Sequence, residues 1–120
     1  MPIQLLGLRT VIYPVTDLAA ATAWWTALLG EPPYFNEPFY VGFTVGGYEL
    51  GLLPDANPAE GAQTFWGVES VPAAMAVAIE LGAVEHTAAT EVGDGIVTGT
   101  VLNTNGSVVG FITNPNFRLP

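Results

Sequence analysis

The chain has 120 residues, half of them hydrophobic and only 11% charged, so one globular domain with a genuine core is expected rather than a disordered chain. Eleven acids against Arg9 and Arg118 give a net charge of −9, which excludes the basic patches that nucleic acid or anionic lipid requires and favours a neutral or cationic small molecule. Cysteine is absent, which removes disulfides, thiolate metal sites and cysteine nucleophiles.

No apolar run reaches the roughly 18 residues of a membrane span, and the N-terminal end lacks the basic and apolar regions of a secretory signal. A soluble, cytoplasmic protein that engages no membrane is therefore expected.

Residues 8–15 are apolar and rich in β-formers, enough for one strand. Thr16 and Asp17 offer N-cap oxygens to a helix whose apolar stripe is read as Leu18, Ala21, Trp25 and Leu28. Gly30 supplies a left-handed stop, with Pro32 and Pro33 beyond it. The segment PPYFNEP (32–38) is too proline-rich for a central strand and suits an edge strand or loop.

Residues 40–45, Gly46-Gly47 and residues 48–53 then form a β-hairpin signal, because paired glycines accept the positive φ angles of a type I′ turn. A two-residue turn pairs Val45 with Tyr48, Phe43 with Leu50 and Val41 with Leu52. All six are apolar or aromatic, so that face is assigned to the helix. The opposite face carries Thr44 beside Glu49, Gly42 beside Gly51, and Tyr40 beside Leu53. One acid, two glycines leaving space and a large aromatic describe a concave surface that admits a ligand.

After a linker at 54–61, the same pattern returns. A short strand ends at Val68, Ser70 can cap, and Val71, Ala74, Ala78 and Leu81 make the stripe before Gly82. Setting Val15 on Val68 also sets Asp17 on Ser70, Leu18 on Val71 and Ala21 on Ala74, an internal repeat of about fifty residues. Strands follow near 84–92, 95–102 and 107–112, with NTNG (103–106) turning the last hairpin, whose register the sequence leaves open by one residue. Each repeat reads β-α-β-β-β.

A doubled unit of this kind, opened by VTDLAAATAWWTALLG and closed by NTNGSVVGFITNP, resembles the vicinal oxygen chelate superfamily of glyoxalase I, bleomycin-resistance proteins and extradiol dioxygenases. The resemblance covers about residues 8–115. It implies an α+β fold: one domain over 1–120 made of two repeats (about 5–54 and 62–115), whose curled mixed sheets form a cleft with helices on the outer face, commonly in a homodimer.

The resemblance also implies four metal-ligand positions, which fall on Thr10, Glu49, Gln63 and Gly110. Only Glu49 and Gln63 could ligate a divalent ion, and a catalytic ion normally needs three or more suitable protein ligands. No bound metal or other cofactor is therefore expected. The lone His86, in VEHTAATEV, has no second ligand at metal spacing and is read as a surface or locally hydrogen-bonded histidine.

The candidate ligand-binding residues are Glu49, Gln63, Thr10, Tyr40, Thr44 and Phe65. Strand parity puts Phe65 on the cleft side and Trp66 towards the helix. Tyr40 and Phe65 are read as platforms for planar or cationic groups, and Glu49 as a counter-ion or general base. Three functions fit: a metal-free binder of a planar or cationic compound; a lyase, isomerase or dioxygenase with an atypical metal site or Glu49 as base; and a structural or regulatory dimer with a vestigial cleft.

Overall fold

The computed structural model describes residues 2–120. Thr10–Gln63 with Leu119–Pro120 form one compact unit; residues up to Arg9 with Thr64–Arg118 form the other. Each is an α+β unit with one helix on a four-stranded mixed sheet, as the doubled pattern requires.

The first repeat contains β1 (Leu8–Pro14), α1 (Leu18–Leu29), β2 (Phe35–Glu37), β3 (Tyr40–Val45) and β4 (Tyr48–Leu53), in sheet order β2-β3-β4-β1. β1 runs parallel to β4, and the other pairs are antiparallel. Asp17 caps α1 by accepting the Ala20 N–H at 3.0 Å, and Gly30 ends it at φ 73°. The hairpin register is the one that Gly46-Gly47 dictates, with Val45 opposite Tyr48 and Val41 opposite Leu52. The proline-rich segment supplies β2, a three-residue edge strand.

Val41, Phe43, Leu50 and Leu52 are buried, packed with Leu18, Ala21, Trp25 and Leu29 of α1. Side chains of this size contribute about 1.5–3 kcal/mol each when fully buried. Two expectations need correction. Leu28 is 60% exposed and Leu29 takes its place. Ten residues past Leu18 a helix has turned about 80° off its starting face, whereas eleven residues bring it back to within about 20°. Val45 and Tyr48 are also exposed, because α1 covers only the body of the hairpin and leaves its turn end to solvent.

The second repeat contains β5 (Gln63–Gly67), α2 (Val71–Glu80), β6 (Val84–Gly93), β7 (Ile96–Leu102) and β8 (Val108–Thr113), in order β5-β8-β7-β6. A short 3-10 helix, Pro58–Glu60, interrupts the linker before it. Ser70 caps α2 through the Ala73 N–H at 3.2 Å, the counterpart of Asp17. Val71, Ala74 and Met75 face Val101 and Phe111 in the core. Leu81, placed in the stripe by sequence, is 77% exposed: it is the C-cap beyond α2 and, ten residues past Val71, lies off the buried face as Leu28 does, while Met75 joins the core on that face.

The register of the last hairpin is now fixed. Leu102 pairs with Val108, and Asn103 closes the turn by accepting the N–H groups of Asn105 and Ser107. Among the described residues, no helix is long and apolar enough to cross a membrane.

Candidate functional site

The face of the first sheet that α1 leaves uncovered is set by strand parity. Pairings Phe35–Gly42, Glu37–Tyr40, Thr44–Glu49, Gly42–Gly51 and Thr10–Glu49 place these residues on one side. At its centre Glu49 is half-buried, and both carboxylate oxygens accept hydrogen bonds. Tyr34 donates to Oε1 at 2.6 Å and Tyr40 donates to Oε2 at 2.8 Å.

Tyr34 is the residue the sequence reading missed. It precedes β2 in a proline-rich segment without periodicity, and the Tyr34 N–H bond to the Gly42 carbonyl at 3.0 Å brings it over β3. A usable signal lay in Gly42 itself: a glycine beside an acid on an aromatic-rich face invites a large neighbour to lie across it.

The glycines correct the earlier expectation of empty space. A Cβ on Gly42 would stand 2.7 Å from Glu49 Oε2 and 3.2 Å from Tyr34 Cε1. A Cβ on Gly51 would strike the Tyr40 hydroxyl and come 2.6 Å from its Cζ. Both clearings are thus filled by the tyrosines that hold Glu49. They let the phenols lie flat on the strands rather than opening a void for a ligand.

The electrostatics follow from this packing. Loss of water pushes the Glu49 carboxyl above its ordinary value, while the bonds from Tyr34 and Tyr40 oppose that rise. Both phenols move well above the usual tyrosine range. Burial is the main cause for each, reinforced by the hydrogen bond to Glu49 and by its negative charge. They therefore remain protonated donors at any ordinary pH.

A carboxylate offers about four lone-pair positions, and two phenols use two of them. The remainder can accept N–H donors from a ligand. Around it lies an aromatic group centred on Phe35, whose ring stands 6.4 Å from Tyr34, 6.0 Å from Phe39 and 6.2 Å from Tyr40.

The other candidates divide. Thr10 is buried beside Glu49 on β1, and Thr44 is exposed opposite Glu49 on β3. Gln63 is half-buried at the first position of β5. Phe65 is buried, and a Cβ on Gly110 would lie 2.5 Å from its ring, so the platform expected there is packed against the glycine. Trp66 faces the helix side with its partner Phe111. His86 sits on edge strand β6, with Nδ1 2.9 Å from the Thr100 hydroxyl.

The profile of the Glyoxalase/Bleomycin resistance protein/Dioxygenase superfamily matches residues 7–116. The chain belongs to this superfamily. Among similar solved structures, homoprotocatechuate 2,3-dioxygenase from Brevibacterium fuscum has a TM-score of 0.76 at 18% identity over 97% of this chain. The match takes in only 39% of the dioxygenase. A variant of Streptomyces coelicolor methylmalonyl-CoA epimerase has a TM-score of 0.72 at 16% identity, covering 93% of this chain and 99% of the epimerase. A structure described as NAD-dependent benzaldehyde dehydrogenase from Legionella pneumophila has a TM-score of 0.66 at 17% identity, covering 87% and 96%. No curated protein matches the sequence.

The superfamily raises the question of a divalent metal, and the donor set does not fit one. Thr10 and Gln63 supply only neutral oxygens, Gly110 has no side chain and lies against Phe65, and the single carboxylate is engaged by two phenols.

Proposed function

We propose that the protein is a cytoplasmic, metal-free small-molecule binding protein of the glyoxalase/bleomycin-resistance type, and that it holds a planar or cationic compound at Glu49. The observation that carries the reading is the clamped carboxylate: two protonated phenols fix Glu49 amid aromatic rings and use only two of its acceptor positions. A planar cation gains twice there, from charge-assisted hydrogen bonds to Glu49 and from stacking on tyrosine or phenylalanine faces. Glu37, on the same face, adds negative charge. Two similar structures carry small organic molecules, 2-nitronate-propionyl-CoA in the epimerase and 3,4-dihydroxyphenylacetate in the dioxygenase.

Benzamidinium, a planar cation, tests the reading in chelator-treated protein. It should shift the ring signals of Tyr34, Tyr40 and Phe35 in a saturable way by NMR, and its neutral analogue benzamide should not. Absence of saturable shifts, or shifts that need added Zn²⁺ or Mn²⁺, would overturn it.

A second reading, an enzyme of the superfamily with Glu49 as general base, draws on the burial that raises the Glu49 carboxyl. It differs in requiring turnover of the bound compound. We also propose a homodimer. Edge strand β6 is exposed along all ten residues and would gain hydrogen-bond partners from a second copy. Light scattering showing only monomer at micromolar concentration would contradict that.

A further inference from the structure

We propose a second binding site, for a small organic anion, in the groove where the chain's two cationic side chains meet. The protein has eleven acids and only two basic residues, Arg9 and Arg118. Both line one cavity of about 270 Å³, together with the ends of β5 and β8 and the C-terminal tail. In a chain of net charge −9, gathering every arginine around one recess makes it the place where an anion meets positive charge rather than repulsion.

The geometry prepares Arg9 for this task. Its guanidinium lies over the Phe117 ring, with Cζ 4.0 Å from the centroid. Its Nε crosses Gly67, where a Cβ would come within 2.8 Å. One face of the planar group is thus stacked and its position fixed, while among the described residues it enters no ion pair and donates no hydrogen bond. An arginine held this way offers a preorganised fork of N–H donors matched to two oxygens of a carboxylate or phosphate. Arg118 is tied back to the tail carbonyls of Pro115 and Phe117 through Nη1, and it too enters no ion pair among the described residues.

The rest of the lining defines the ligand's body. Leu6, Val68, Ile112 and the Phe117 ring supply apolar walls, so an anion carrying an apolar or aromatic group fits better than an inorganic ion. Glu69 also lines the groove, without an ion pair to either arginine, and it opposes an incoming anion. It sets the affinity low and gives the proposal a distinctive signature.

Benzoate, inorganic phosphate and benzyl alcohol titrated into ¹⁵N-labelled protein provide the test. Benzoate should saturate, shifting Arg9 Nε–H and the amides of Glu69, Thr113 and Phe117, and should bind more tightly than phosphate. Arg9→Gln and, separately, the exposed Arg118→Gln should each weaken benzoate at least about tenfold, the scale of a lost charged hydrogen bond. Glu69→Gln should tighten it. Failure of benzoate to saturate, wild-type affinity in either arginine variant, or benzyl alcohol binding as well as benzoate would overturn the proposal.

Discussion

Gly51→Ala probes the clamp on Glu49 from the strand beneath it, through the Tyr40 ring that lies across Gly51. The new methyl would overlap the Tyr40 hydroxyl and approach Cζ and Cε1 at 2.6 and 2.7 Å. β4 cannot retreat, because β3 and β1 hold it on both sides, so Tyr40 must swing away and lose its 2.8 Å bond to Glu49. A hydrogen bond to a charged group contributes about 1.5–3 kcal/mol. Replacing a strand glycine by alanine returns about 0.5–1 kcal/mol of backbone entropy. The net loss is about 1–2 kcal/mol. For 120 residues the unfolding entropy is about 0.25 kcal/mol/K, so Tm should fall by about 4–8 °C in a calorimetric or circular-dichroism melt. In a Tyr40→Ala background the methyl has nothing to strike, and the same change should be neutral or stabilising. An unchanged or raised Tm for Gly51→Ala alone, or an equal loss in both backgrounds, would refute the reasoning.

The raised Glu49 carboxyl makes stability depend on pH with a defined sign. Between the ordinary value of 4.5 and the higher folded value, the native state binds the extra proton, so this component of stability falls as pH rises through that window. In paired melts the stability of wild type relative to Glu49→Gln should fall as pH rises through that window; a relative stability that rises would contradict the assigned burial. Asp17→Ala removes the 3.0 Å cap on Ala20 and should cost about 1 kcal/mol, lowering Tm by about 4 °C. An unchanged Tm would show that the cap contributes nothing to stability.

The hairpin was legible because two adjacent glycines fix its register, and register alone then assigns every side chain between Tyr40 and Leu53 to a face. The caps were legible because Asp17 and Ser70 carry an oxygen where a helix start needs one. The stripes failed at their ends, at Leu28 and Leu81, because a 3.6-residue period drifts off a straight count over three turns. The site was half legible. Parity put Glu49 and Tyr40 on the uncovered face, but Tyr34 reaches them through an irregular edge segment that carries no period. The arginine groove escaped notice because Arg9 and Arg118 lie far apart in sequence, and only the fold brings the tail against the N-terminal segment.

The most direct test of the central claim is calorimetric titration of benzamidinium into chelator-treated wild type and Glu49→Gln. Saturable one-site binding to wild type is expected without metal, weakened about tenfold or more by the substitution, the scale of one charged hydrogen bond. Equal affinity for the two proteins, or binding by wild type only after a divalent metal is restored, would contradict it.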